Sequence, residues 1–339
     1  MSILVTGGAG YIGSHMVLSL LEHEYDVVVL DSLVNSSAEA LRRVESITGK
    51  SVTFIEGDIR NRALLDQLFT EHYISDVLHF AGLKAVGQSV EQPLRYFENN
   101  VGGTLTLCQA MDAAGVRTLV FSSSATVYGE VANMPIHEGL PTGSPTNPYG
   151  RSKLMVEEVL KDLAKGDSRW SIALLRYFNP VGAHESGLIG EDPNDIPNNL
   201  VPFISQVAIG RRDVLSVYGN DYPTPDGTGV RDYIHVSDLV DGHLCAMQVI
   251  ARKHGIGIWN LGTGQGYSVL NMVQAFEKAS GRDVPYRIAP RRNGDVAECW
   301  ADPSKAEHEL GWKANRNLDA MMQDTWRWQK QNPNGYNLE

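Results

Sequence analysis

The apolar run Ile3-Leu4-Val5-Thr6 feeds directly into Gly7-Gly8-Ala9-Gly10-Tyr11-Ile12-Gly13, and this junction constrains the fold more than any other stretch of the chain. The run has the length of a buried strand. Ile12, Met16 and Leu20 recur at helical spacing, which predicts a helix over 11–23. Strand, glycine turn and helix in that order make a pyrophosphate cradle. The glycines permit the tight turn, the approach of backbone to ligand and the packing of helix on sheet, and the helix N-terminus supplies the anion site. The spacing is GxxGxxG rather than GxGxxG, but the setting is the one the motif needs. Asp31 lies eighteen residues beyond Gly13, at the end of the next apolar run. A carboxylate there bonds ribose hydroxyls and repels a 2′-phosphate, which predicts NAD over NADP.

Strand patterns at 26–31, 52–55, 77–80, 118–121 and 172–175 alternate with helical ones, the longest over 93–114. Such alternation predicts an α/β fold of Rossmann type with a doubly wound parallel sheet. From Pro180 the pattern breaks into long Gly-, Pro-, Asn- and Asp-rich loops such as 190–195, and loops of that length are usually functional. Regular spacing returns over 232–249 and 258–261. The expected organisation is therefore interleaved: 1–179 plus 231–262 as an NAD-binding domain, and 180–230 plus 263–339 as a smaller second domain.

The chain has 339 residues, 42% hydrophobic and 20% charged, enough to bury a sizeable core. A net charge of −11 argues against nucleic acid as a partner, because phosphate backbones need a basic face. Cys108, Cys245 and Cys299 are odd in number and widely spaced, which predicts neither disulfides nor a zinc site. The histidines lack ligand spacing, so no metal is expected. A strand that begins at once leaves no room for a leader peptide, and no apolar run is long enough to span a bilayer. The expectation is a soluble, cytoplasmic protein.

Tyr149 and Lys153 stand four residues apart in Asn147-Pro148-Tyr149-Gly150-Arg151-Ser152-Lys153. Asn147 or Thr146 can cap a helix whose first residue is Pro148, and the i, i+4 spacing puts phenol and ammonium on one face. A free tyrosine titrates near ~10; a neighbouring cation lowers that value and makes the phenolate a proton acceptor. Alone, such a pair is more often a surface tyrosine and a solvated lysine. Its weight here comes from the glycine turn upstream and from Ser122-Ser123-Ser124 after the 118–121 strand, where a hydroxyl can orient a substrate oxygen toward the phenol. Asp58-Ile59 and Phe80-Ala81-Gly82-Leu83-Lys84 follow two other strands, at the sheet edge where open α/β sheets bind ligands. Arg231 and the Arg291-Arg292 pair are basic elements within an acidic chain. Guanidinium groups grip diphosphate oxygens bidentately, although isolated surface arginines more often form salt bridges.

Taken together, Gly7, Gly10, Gly13, Ser124, Tyr149 and Lys153 resemble the extended short-chain dehydrogenase/reductase family, and within it the UDP-glucose 4-epimerases. The matching stretches run nearly end to end: VTGGAGYIGSH, HFAGLKAVGQS, NNVGGT, FSSSATVYG, NPYGRSK, RYFNPVGAH, GVRDYIHVSDL and AECWADPSKAEHELGW. The resemblance implies an isomerase of carbohydrate metabolism. NAD would take hydride from C4 of a UDP-hexose while Tyr149 takes the O4 proton; the 4-keto sugar would turn over with UDP held, and hydride would return to its other face. Lys153 would hold the nicotinamide ribose and lower the Tyr149 pKa, and Ser124 would bond O4. Cofactor contacts would also include Tyr11, Ile12, Asp31, Asn35, Ser36, Asp58, Ile59, Phe80, Ala81, Gly82, Lys84, Asn99 and Phe178. The UDP-sugar would meet Asn179, Asn199, Leu200, Ser216, Val217, Tyr218, Arg231, Tyr233, Arg292 and Asp295. A homodimer through paired long helices is implied as well.

One position departs from members restricted to glucose and galactose. They carry a bulky tyrosine where this chain has Cys299, and relatives that also take N-acetylated sugars carry a small residue. The resemblance therefore implies activity on UDP-GlcNAc and UDP-GalNAc too. Nucleotide-sugar dehydratases share the glycine turn and the Tyr/Lys pair but need an added acid and base beside the serine. Ala125 and Thr126 cannot serve as carboxyl groups do.

Overall fold

A computed structural model describes residues 2–131, 133–193, 197, 199–292 and 295–337. The first half alternates as β1 (Ser2–Thr6), α1 (Tyr11–Glu22), β2 (Asp26–Asp31), α2 (Ala38–Thr48), β3 (Thr53–Glu56), α3 (Arg62–Glu71) and β4 (Ile74–His79). It continues with α4 (Val86–Glu91), α5 (Pro93–Tyr96), α6 (Gly103–Ala114), β5 (Thr118–Ser124), α7 (Pro148–Gly166) and β6 (Ser171–Tyr177). Then follow β7 (Asn179–Val181), α8 (Leu200–Ala208), β8 (Leu215–Tyr218), β9 (Val230–His235), α9 (Val236–Ile250) and β10 (Gly255–Leu261). The chain ends with β11 (Gly266–Ser268), α10 (Val269–Ser280), β12 (Tyr286–Ala289), β13 (Glu298–Cys299), α11 (Ser304–Leu310) and α12 (Leu318–Gln331).

Seven parallel strands form the central sheet in the order β10-β6-β5-β4-β1-β2-β3. This is the doubly wound α/β arrangement, and its winding reverses between β1 and β4, where a crevice opens at the carboxyl ends of the strands. Helices cover both faces, so the strands are buried on both sides and carry nearly continuous apolar runs. One core contains Ile3, Val5, Met16, Leu20 and Leu244, and the other Leu4, Val28, Leu107, Val156 and Leu160.

The expected strand over 118–121 extends to Ser124, because Ser122, Ser123 and Ser124 pair in register with Leu175, Arg176 and Tyr177 of β6. An apolar-run criterion stops at the last hydrophobe, whereas the backbone ladder does not. The expected helix over 93–114 exists, but Phe97–Gly102 forms a π-helical turn between α5 and α6. Such turns are rare and frequent at functional sites. β9 joins β7, β11 and β13 in a separate four-stranded sheet, while β8 pairs with β12. Helices α8, α10 and α12 pack there over Val201, Ile204, Met272, Phe276 and Met321. Among the described residues no helix is long and apolar enough to cross a membrane, and no group of His, Cys, Asp or Glu could hold a metal ion.

Candidate active site

The glycine turn is built as its sequence requires. Gly7 has φ +72°, and a Cβ there would meet the Ala81 nitrogen at 2.6 Å, so strand β4's following loop touches the turn only because Gly7 has no side chain. Asp31, at the end of β2, has a role the sequence did not reveal. One carboxylate oxygen accepts from Ala9 N–H in the turn at 2.9 Å, and the other accepts from Leu33 N–H at 3.0 Å and the Ser36 hydroxyl at 2.8 Å. The side chain thus ties the turn to the Asn35–Ser36 loop. Asp58 receives a two-pronged ion pair from Arg60, which holds its carboxyl below the usual range.

Asn147 caps α7 by accepting from Gly150 N–H at 2.9 Å, with Pro148 at the first position. The next two turns of this helix carry Tyr149 and Lys153 toward the end of β5. The Lys153 ammonium is 6% exposed, donates to the Ser122 carbonyl at 2.6 Å and lies over the Phe121 ring. Its burial draws the ammonium down to about 8. The phenol does not behave as the bare pair implied. Burial pushes Tyr149 up to about 12, and a hydrogen bond with Ser124 opposes the shift only in part. The ammonium is drawn to the Ser122 carbonyl and sits 6.0 Å from the centre of the Tyr149 ring, too far to offset the loss of solvent.

The π-helical turn supplies a clamp. Asn100 donates to the Leu83 carbonyl and to Ser152 Oγ, each at 3.0 Å, and accepts from Leu83 N–H at 2.8 Å. Ser152 in turn donates to the Tyr149 carbonyl at 2.7 Å. The loop after β4 and α7 are therefore fixed to each other through one buried amide.

Every residue that the family resemblance assigned to the site lines a single cleft of about 990 Å³. The β1–β4 end of the cleft carries Gly7, Gly10, Tyr11, Ile12, Gly13, Asp31, Asn35, Ser36, Asp58, Ile59, Phe80, Ala81, Gly82, Lys84 and Asn99. Ser124, Tyr149, Lys153, Phe178 and Cys299 follow, then Asn179, Asn199, Leu200, Ser216, Val217, Tyr218, Arg231, Tyr233, Arg292 and Asp295. Arg292 lies over the Tyr218 ring at 4.5 Å and pairs with Asp295 at 3.1 Å. Arg291 instead pairs with Asp221 and stacks on Tyr222, so of the two neighbours only Arg292 lines the cleft. Asn293 and Gly294 of that stretch, and Asn194 and Asp195 of the 190–195 loop, lie outside the described residues.

Cys299 packs against the small core that holds Ala125, Phe178 and Ala301, and burial pushes its thiol up to about 11. Sequence reasoning missed Glu191, whose Oε1 accepts from Lys84 Nζ at 3.0 Å and from Asn199 Nδ2 at 2.9 Å, joining residues from the two ends of the cleft. It also missed Thr126 and Tyr177, which line the cleft beside Ser124 and Phe178. Their adjacency to FSSS and RYFNP was the only available signal.

A doubly wound sheet with a glycine-turn cradle and a Ser–Tyr–Lys set at its carboxyl edge defines a short-chain dehydrogenase/reductase. The family model described as GDP-mannose 4,6 dehydratase matches residues 4–325. The UDP-glucose 4-epimerase of Bacillus subtilis is 61% identical over 336 residues, 99% of each chain. A crystal structure of UDP-glucose 4-epimerase from Bifidobacterium longum in complex with NAD+ and UDP superposes with TM-score 0.96 and 55% identity, covering 99% of this chain and 100% of that one. The UDP-Glc/GlcNAc 4-epimerase of Campylobacter jejuni superposes with TM-score 0.84 at 35% identity, over 97% and 99% of the two chains. The chain belongs to the extended short-chain dehydrogenase/reductase family, in its UDP-glucose 4-epimerase branch.

Proposed function

We propose that this chain is an NAD-dependent UDP-hexose 4-epimerase that interconverts UDP-glucose with UDP-galactose and also UDP-GlcNAc with UDP-GalNAc. The observation that carries the reading is the meeting of Ser124, Tyr149 and Lys153 in one cleft between the glycine turn and the Arg231/Arg292 end, with Cys299 beside them. The residues fit NAD: the turn gives backbone access for a pyrophosphate, and the Asp31 carboxylate at its rim suits ribose hydroxyls and opposes a 2′-phosphate. Bound NAD would supply a hydride acceptor for C4 of the sugar, and because the hydride returns to the sugar no cofactor would be consumed. Tyr149 holds the proton lost from O4, Ser124 bonds that oxygen, and Lys153 bonds the nicotinamide ribose. Arg231 and Arg292 grip the diphosphate while Leu200, Ser216, Val217 and Tyr218 frame the base. Asn179, Asn199, Tyr233 and Asp295 complete the polar lining. The 4-keto sugar turns over while UDP stays held.

Dehydration is disfavoured despite the name of the matching family model, because Ala125 and Thr126 follow Ser124 where an acid and a base are needed. Breadth toward N-acetyl sugars rests on Cys299. An acetamido group adds heavy atoms that must clear the cleft wall as the ketone turns; a thiol leaves that space open and a phenol fills it, a steric route to specificity. The name of the Campylobacter jejuni relative accords with such breadth. Incubation with UDP-galactose and, separately, UDP-GalNAc should give the 4-epimer of each. Cys299→Tyr should abolish turnover of UDP-GalNAc and spare UDP-galactose. Equal loss of both, or a wild-type enzyme inert toward UDP-GalNAc, would sink the breadth.

On this reading 1–179 plus 231–262 serve the cofactor and 180–230 plus 263–339 the sugar nucleotide. The active form is a homodimer. The α5–α6 and α7 helices lie side by side through the π turn and expose Leu94, Leu105 and Met155, an apolar face suited to a second copy. Light scattering should return twice the chain mass, and Leu94→Glu with Met155→Glu should return the monomer; a wild-type monomer at assay concentration overturns the dimer.

A further inference from the structure

Ser124 Oγ is the acceptor of two hydrogen bonds from one neighbour. The Thr126 backbone N–H donates to it at 3.2 Å, capping the short turn that follows β5, and the Thr126 hydroxyl donates to it at 2.9 Å. Thr126 is held in place in turn, because Gly150 leaves just enough room for it: a Cβ on Gly150 would meet Thr126 Oγ1 at 3.1 Å. A serine hydroxyl has one proton to donate and two lone pairs to accept with. Both lone pairs are used, so the one role left to Ser124 is donation into the cleft, on the side of Tyr149.

We infer that Thr126 is a positioning residue of the reaction, one that fixes Ser124 as a permanent hydrogen-bond donor and so leaves Tyr149 as the group that takes the substrate proton. The inference rests on the epimerase reading above. It resolves a choice that the Ser/Tyr pair alone leaves open. A relay through Ser124 requires its oxygen to accept the sugar O4 proton, and no acceptor site remains for it. A fixed donor suits the chemistry better, since O4 accepts a hydrogen bond both as an alcohol and as the 4-ketone, and a donor aimed at an oxygen where charge develops is an effective stabiliser. In the cleft without sugar the same proton is free to be given to the Tyr149 phenol, where a hydrogen bond with the Ser124 hydroxyl opposes the upward push of burial.

The test compares Thr126→Val, which keeps the shape and removes the hydroxyl, with Thr126→Ser, which keeps the hydroxyl, both as NAD-loaded enzymes acting on UDP-galactose. Deleting an oxyanion donor outright costs ~10²–10³-fold in kcat. Freeing Ser124 rather than deleting it should cost about ten- to a hundredfold, with KM and UDP affinity within about twofold of wild type. Thr126→Ser should recover most of the loss. The acid limb of the kcat/KM–pH profile, which reports the free enzyme, should move to higher pH in Thr126→Val, because the free phenolate loses an oriented donor. If Thr126→Val does not retain NAD, Thr126→Ala carries the same readouts. The inference falls if the valine variant matches or exceeds wild type, as it would were Ser124 donating to Thr126, or if serine fails to rescue. It also falls if KM rises as much as kcat drops. A wild-type enzyme inactive on UDP-galactose would instead overturn the epimerase reading itself.

Discussion

Tyr149→Phe should lower kcat for UDP-galactose epimerisation by ~10²–10⁴-fold, the usual cost of a lost general base, while the protein should still fold and retain NAD. The substitution removes one hydroxyl at the wall of the cleft, and the phenol makes no hydrogen bond on which the backbone of α7 depends; that helix is held by Asn147, Ser152 and its buried face. The size of the effect follows from the electrostatics. Burial pushes the phenol up to about 12 and draws the Lys153 ammonium down to about 8, so both groups are protonated at neutral pH. A base must be deprotonated to act, and its pKa lies above neutrality, so activity should rise as pH increases from neutral. Lys153→Met removes the nearby cation and should move that rise to still higher pH. Steady-state rates of both variants across about pH 6–10 test this. A Tyr149→Phe enzyme near wild-type speed, or a Lys153→Met profile shifted toward acid, would remove Tyr149 from the role of base.

The sheet and the site residues were legible because they are local patterns. Ile3–Thr6 with Gly7–Gly13 specifies strand, turn and helix from consecutive residues, and Asn147-Pro148 announces the helix that carries Tyr149 and Lys153. Resemblance to a family supplied the second half of the cleft, where the periodicity of 180–230 gave no guide. Pairings between distant residues stayed hidden. Nothing in the spacing of Asp31 tells that its carboxylate also fastens Ala9 and Ser36, nor that Glu191 joins Lys84 to Asn199. The π turn at Phe97–Gly102 was invisible for a related reason. Its register change goes with Asn100 reaching Leu83 and Ser152, distant partners that the Gly102-Gly103 pair within 93–114 does not announce. The phenol's upward shift was misjudged because sequence proximity reveals a neighbouring cation but not the solvent excluded around it.

Behind the cleft lies the largest expected stability effect. Glu157, one turn beyond Lys153 on α7, is fully buried and pairs with Arg176 of β6, itself 2% exposed: Nε donates to Oε1 at 2.9 Å and a terminal nitrogen to Oε2 at 2.6 Å. Ser123 of β5 also donates to Oε1 at 2.6 Å, and the guanidinium lies over Tyr128, whose hydroxyl reaches Asn260 of β10. One carboxylate thus ties the catalytic helix to two strands, including the residue before Ser124. A buried pair of this kind costs desolvation on both sides and is worth little against an apolar replacement, but removing Arg176 leaves the buried carboxylate only the partly exposed Lys161 ammonium at 3.7 Å, and removing Glu157 strands the guanidinium. Arg176→Met should therefore destabilise the NAD-loaded protein by about 3–5 kcal/mol. Glu157→Met should cost a similar amount. The double variant should regain most of the loss, because no unpaired charge is left, yet its kcat should stay depressed since Ser123 has lost its tie to α7. Urea unfolding of the four proteins, with steady-state kinetics on each, separates the two effects. A double variant no more stable than either single variant would mean that the ion pair is itself a net source of stability, and strictly additive losses would mean that Glu157 and Arg176 are not coupled. A double variant with wild-type kcat would mean that the spacing of Ser124 from Tyr149 does not depend on it.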